Sequence, residues 1–210
     1  MINFENLDKC IFPGVGKYDI PKIEPVMAYP CGDFVPMNYA MTEHHPKSKI
    51  VHCFVDDYQF VRYWNAPDKY IPKLSKFAAV CAPDFSMYTD MPLAMQIYNH
   101  YRKHWLAAYW QLNGLTVYPT IGWSDEKSYD WCFDGEPVGG VVAVSSVGTQ
   151  RNKESKRLFL RCYEEMMKRI DPQWVIFYGR VPPDCDWNVI RIAPHYEDIV
   201  KRRKNNAPCG

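Results

Sequence analysis

Six short, near-continuous apolar runs constrain this chain more than any other feature: residues 50–55, 78–81, 115–118, 141–144, 174–178 and 189–192. A strand with one wet face alternates apolar and polar residues, so runs that are apolar throughout predict strands covered on both faces. Helical patterns lie between most of them. Residues 57–77 give one or two short helices, interrupted by Pro67 and Pro72. Residues 92–113 give the clearest helix. Pro92 suits its first turn, Asp90 or Thr89 offers a cap, and Asn113-Gly114 offers a stop. Ile97, Tyr101, Trp105, Ala108 and Leu112 fall on one stripe of it, leaving Gln96, Asn99 and Lys103 on other faces. A further helix over 153–170 would turn Leu158, Cys162, Tyr163, Met166 and Ile170 inward.

Such alternation predicts an α/β fold, a mostly parallel sheet of about six or seven strands with flanking helices. The sheet would be open or incomplete-barrel-like, because 210 residues fall short of the roughly 250 of a full eight-fold barrel. A single domain is expected over 1–210. Residues 1–49 form an irregular, Pro-rich wrap with a strand near 25–29, 50–195 the βα core, and 196–210 a short basic tail.

The net charge of +1 gives no global argument for nucleic acid or a membrane surface as partner. No stretch approaches the roughly 20 apolar residues of a membrane helix. The first ten residues carry Glu5, Asp8 and Lys9 and have no apolar signal-peptide core. Eight scattered cysteines without a C-x-x-C pattern read as free thiols in a reducing compartment, so a cytoplasmic setting is expected.

In parallel α/β folds the loops after the strand C-termini gather on one face, and ligands bind there. Here those loops bring Asp56-Asp57, Asp84 and Asp125 from three separate segments. Converging carboxylates can hold magnesium or manganese, or divide into a general acid and a general base. Each aspartate alone is more simply a helix cap, but a single cap needs only one of the Asp56-Asp57 pair. Ser145, Ser146 and Gly148 form a small-residue turn ahead of a helix, a place that suits phosphate, and Arg180 could add charge. No phosphate-loop or dinucleotide spacing supports that reading, and an ordinary tight turn explains it as well. Tyr88 and Trp123, set in polar loops, could stack on a ring, whereas Phe60 and Trp64 read as core. His44-His45 with His52 or Cys31 matches no zinc spacing, and no metal ligands are assigned.

Several of these loops carry longer patterns. Asp56-Asp57-Tyr58-Gln59-Phe60 is followed by Trp64-Asn65-Ala66-Pro67, and the stretch from Pro83-Asp84-Phe85-Ser86 runs on to Asp90-Met91-Pro92. Together with Gln96, Asn99, Tyr101-Arg102, Tyr109-Trp110-Gln111, Pro119-Thr120, Trp123-Ser124, Phe133-Asp134-Gly135, Val142-Ala143-Val144-Ser145 and Tyr178-Gly179, they resemble the domain-of-unknown-function 4417 family over nearly the whole chain. The resemblance implies a phage or mobile-element context and lends no catalytic role to any residue.

Three functions compete. The first is an enzyme acting on a phosphate-containing substrate, nucleotide or nucleic acid, through Asp56, Asp57, Asp84 and Asp125. Two of these carboxylates would then share a cation. The second is a non-catalytic binder that sequesters a nucleotide-like ligand or a host protein, with the carboxylates paired to arginines such as Arg102. The third is a DNA-replication accessory protein, resting on the basic end at Lys201–Lys204.

Overall fold

The computed structural model describes residues 5–192. A small antiparallel hairpin, β1 (Gly14–Val15) with β2 (Ile20–Pro21), precedes the core. Then follow β3 (Asp33–Pro36), β4 (Lys49–His52), α1 (Val61–Asn65), α2 (Pro67–Leu74), β5 (Ala79–Cys81) and α3 (Leu93–Leu112). The chain continues with β6 (Val117–Tyr118), β7 (Val141–Ser145), α4 (Lys153–Ile170), β8 (Trp174–Tyr178) and β9 (Val189–Ile192). All six expected strands form. The strand expected near 25–29 does not; that stretch is irregular, and β3 supplies the extra strand instead. Val26 still touches the sheet through one bond, its carbonyl accepting from the Val141 amide.

Every core pairing is parallel, and the strands lie side by side in sequence order. They form two ladders, β3-β4-β5-β6 and β7-β8-β9, which among the described residues meet at a single bridge between Thr120 and Ala143. Both faces of the strands are covered, as the apolar runs require. One face, carrying Ile50, Cys81, Tyr118, Ala143, Ile176 and Tyr178, packs into a cluster shared by both ladders. On the opposite face, Val51, Val80 and Val117 pack with Trp105, Leu106 and Trp110 of α3. There too Val142, Val175 and Phe177 pack with Phe159, Tyr163 and Met166 of α4. Each such buried side chain contributes about 1.5–3 kcal/mol relative to exposure.

Helix ends follow local chemistry. The α3 start differs from expectation: Pro92 stands at the cap position without a side-chain cap, and neither Asp90 nor Thr89 takes that role. Gln96 Nε2 instead donates to the Met91 carbonyl at 2.8 Å. At its C-terminus Gly114, at φ +79°, enters the left-handed region that stops a helix. Asn152 caps α4, its side chain accepting from the Ser155 amide at 2.8 Å. Phe159 heads the buried stripe of α4, with Leu158 only half-buried. The larger ring fills the space over Phe177.

Among the described residues no helix is long and apolar enough to cross a membrane. The described cysteines are all free, and Cys209 lies outside the described residues, as does the basic end at Lys201–Lys204.

Candidate functional site

The loops after β4, β5, β6 and β7 enclose a cleft of about 280 Å³. Of the residues singled out from sequence, Asp56, Asp84, Tyr88, Trp123 and Ser145 line it. Its walls are otherwise largely aromatic, with Phe54, Phe85, Phe159 and Tyr178 contributing. Among the described residues no lysine or arginine lines it.

Asp84 lies three residues past the end of β5 and is the chemically distinctive group. Burial pushes its carboxyl up to about 7, the nearby positive charge of Lys103 works against that rise, and the charge of Asp57 adds to it. Among the described residues nothing donates a hydrogen bond or forms an ion pair with its carboxylate. A largely desolvated carboxyl that titrates near neutrality is a marker of functional sites. Asp56 lies at the outer edge, exposed, with Gln59 Nε2 at 3.4 Å.

The other carboxylates are placed elsewhere. Asp57 accepts from the Ser86 amide at 3.1 Å and from the Ser86 hydroxyl at 2.9 Å. Its second neighbour is Arg102, whose guanidinium nitrogen is 4.0 Å away and whose cationic face lies 3.7 Å from the centre of the Phe85 ring. Asp57 therefore holds the loop after β5 in shape. Asp125 caps a short 3-10 turn by accepting from the Lys127 amide at 2.9 Å, beside a different hollow.

The Ser145–Gly148 turn uses its polar groups internally. Ser145 Oγ accepts from the Val147 amide at 3.2 Å, and Ser146 Oγ donates to the Arg180 carbonyl at 2.7 Å. Gly148, at φ +83°, makes the bend. The Arg180 side chain is exposed and stands outside the cleft lining, while its carbonyl also accepts from Gln150 at 2.9 Å. Trp123 is half-buried, its ring 5.7 Å from Phe159, and Tyr88 is exposed, its hydroxyl 3.2 Å from Ser86 Oγ. Phe60 and Trp64 are core, as expected.

Sequence reasoning missed a second polar assembly. Gln96, Asn99, His100, Lys103 and His104 are all buried, on a face of α3 beside the expected apolar stripe, of which Trp105 and Ala108 are buried and Leu112 is exposed. The reason is local: the carbonyls of the loops after β5 and β6 need donors once α3 covers them. Asn99 Nδ2 donates to the Ser86 carbonyl at 2.6 Å. Lys103 Nζ donates to the Thr120 carbonyl at 2.9 Å and to Glu136 Oε1 at 2.6 Å. His104 Nε2 lies 3.0 Å from the same Glu136 oxygen. Burial alone would raise the Glu136 pKa; Lys103 and His104 together, by charge and hydrogen bonding, outweigh it and lower the pKa, which favours the ionised carboxylate. Gly135 permits this packing, since a Cβ there would come within 2.5 Å of the Pro21 carbonyl oxygen and 2.8 Å of His104 Nδ1. The signal was present as a polar periodicity: positions 96, 99, 100, 103 and 104 repeat every three to four residues as sharply as any apolar stripe.

Among the described residues the group of three or more potential metal ligands close enough to share an ion is His100, His104 and Glu136, not the strand-end aspartates. His52, weighed and set aside as a partner of His44-His45, is buried against Phe54 and Tyr178, and burial lowers its pKa to about 3. His44 and His45 face a separate hollow.

Comparison with known proteins returns two phage relatives. The "Gene 1 protein" of Mycobacterium phage D29 is 36% identical over 208 residues, covering 95% of this chain and 75% of that protein. The "Gene 1 protein" of Mycobacterium phage L5 is 36% identical over 205 residues, covering 93% and 86%. No solved structure matches. The family model described as "Domain of unknown function (DUF4417)" matches residues 12–196, and the chain belongs to that family.

Proposed function

We propose that the cleft binds a ring-bearing, nucleoside-like small molecule, with Asp84 hydrogen-bonding to the ring edge and Trp123 and Tyr88 flanking its face. The observation that carries this reading is Asp84 itself: a largely buried carboxyl that, among the described residues, has no hydrogen-bond or ion-pair partner, in a cleft with aromatic walls and no basic side chain among them. An unpaired buried carboxyl costs free energy that a ligand N–H can offset. Two aspartates without a cation disfavour a phosphate inside the cleft. Any phosphate on such a ligand would lie outside it, toward the exposed Arg151 and Arg180. The reading takes the two ladders together as an incomplete barrel whose mouth is this cleft.

Acid–base catalysis on the bound ring is the second reading, favoured by a carboxyl that titrates near 7. Cation-assisted phosphoester cleavage has less support, because Asp57 and Asp125 are engaged with Ser86 and with a helical turn.

The test is titration of the wild-type chain with the common nucleosides and their monophosphates, followed by tryptophan fluorescence and calorimetry. Saturable binding that falls at least about tenfold in Trp123→Ala and in Asp84→Asn supports the reading. Absence of binding by every nucleoside up to millimolar concentration defeats it.

A further inference from the structure

The buried polar cluster on α3 has a donor–acceptor imbalance that its protein atoms do not resolve. His104 Nδ1 lies 2.8 Å from the Pro21 carbonyl oxygen. A carbonyl only accepts, so Nδ1 carries the hydrogen, and Nε2 turns its lone pair toward Glu136 Oε1 at 3.0 Å. Two acceptors therefore face each other. His100 repeats the arrangement. Its Nε2 lies 3.1 Å from the Asp134 carbonyl, which leaves Nδ1 as the lone-pair nitrogen, and that atom is buried without a partner. Glu136 Oε2 is likewise buried and unpartnered.

Lys103 answers only part of the need. Its ammonium serves Glu136 Oε1 and the Thr120 carbonyl and leaves the two imidazole lone pairs and Oε2 unserved.

We propose that His100, His104 and Glu136 form a buried zinc site that ties α3 to the segment 134–136. One ligand atom from each residue lies within 4.8 Å of the others, a span that small side-chain shifts close onto an ion. His100 and His104, four apart on one helix face, present their nitrogens side by side. Two imidazoles and one carboxylate favour zinc over magnesium or calcium, which take oxygen ligands. Each histidine gives its other ring N–H to a main-chain carbonyl, the arrangement that fixes the tautomer of a metal-ligating imidazole. Glu136 offers the ion Oε2 while Oε1 keeps Lys103. The site is separate from the cleft and stands or falls independently of the ligand proposed there.

The experiment is zinc binding to the purified full chain by competition with a chromophoric chelator, alongside thermal melting and the absorption spectrum of the cobalt-substituted protein. One equivalent of zinc bound below micromolar Kd, a raised Tm and cobalt bands of nitrogen–oxygen ligation are expected. His100→Asn should weaken binding by at least about 100-fold, since it removes a ligand outright. That variant is preferred to one at His104, which also holds the Pro21 carbonyl. The double variant His44→Ala/His45→Ala, at an exposed histidine pair, should bind as the wild type does. If wild type takes up no stoichiometric zinc, or if binding survives His100→Asn and is lost with His44 and His45, the proposal is wrong.

Discussion

The open cleft and the enclosed cluster on α3 both place charged side chains where water is scarce, and they solve the same problem differently. In the cleft, Asp84 is left without a partner and its proton affinity rises. In the cluster, Glu136 is surrounded by Lys103 and His104 and stays ionised. A paired buried carboxylate is committed to holding structure, because breaking such a pair leaves an uncompensated charge. An unpaired one remains free to meet something from outside. Asp57 lies between these extremes, half-exposed and engaged with Ser86 and Arg102.

The contrast breaks most sharply at Glu136. Glu136→Gln leaves Lys103 buried beside a neutral amide, and chemical denaturation should show a loss of about 3–5 kcal/mol. A loss below about 1 kcal/mol would mean that the Lys103–Glu136 pair is not the keystone of the loops.

Asp84 should behave in the opposite sense. Its folded pKa of about 7 exceeds its ordinary value of 3.8, so the folded state binds the proton more tightly than the unfolded state. Its stabilising share is whole below about pH 4 and is lost as pH rises toward 7. Asp84→Asn should abolish that slope and be more stable than wild type near pH 8, by on the order of 2–4 kcal/mol. Parallel stability–pH curves for the two proteins would remove the argument that this carboxyl is strained for function.

A smaller effect separates support from contact. Asp57→Ala removes the acceptor for the Ser86 amide and hydroxyl, and should cost about 1–2 kcal/mol while also loosening the cleft wall. Its signature is a stability loss together with weaker nucleoside binding, whereas Asp84→Asn gains stability and loses binding. The smallest change is expected at Asn152→Ala, a lost helix cap worth about 1 kcal/mol that leaves nucleoside binding unchanged.

How much of this was legible follows from what each residue's signal depends on. The strands at β4 to β9 and the bounds of α4 were readable because apolar runs and helical periodicity are local properties of the chain. The gathering of Asp56, Asp84, Tyr88, Trp123 and Ser145 at one cleft was readable because parallel connectivity sends successive loops to one end. What could not be read is which carboxylate is engaged. Asp57 and Asp84 look alike in sequence, and only Ser86, two residues beyond Asp84, distinguishes them by pairing across the fold with Asp57. The inward polar face of α3 was hidden for a related reason. Its partners are carbonyls of Pro21, Ser86, Thr120 and Asp134, and carbonyls carry no sequence identity.

The single bridge between the two ladders has a mechanical consequence. Across it the Ile121 amide donates to the Ala143 carbonyl at 2.8 Å and the Ala143 amide to the Pro119 carbonyl at 2.7 Å, whereas β7 pairs with β8 over five residues and β3 with β4 over four. This narrow seam runs into the mouth of the cleft, with Asp84 and Phe85 on one bank and Ser145 and Tyr178 on the other. A molecule seated there acts as a rivet across the seam, so filling the cleft should slow amide exchange at Ile121 and Ala143 as well as at the residues it touches.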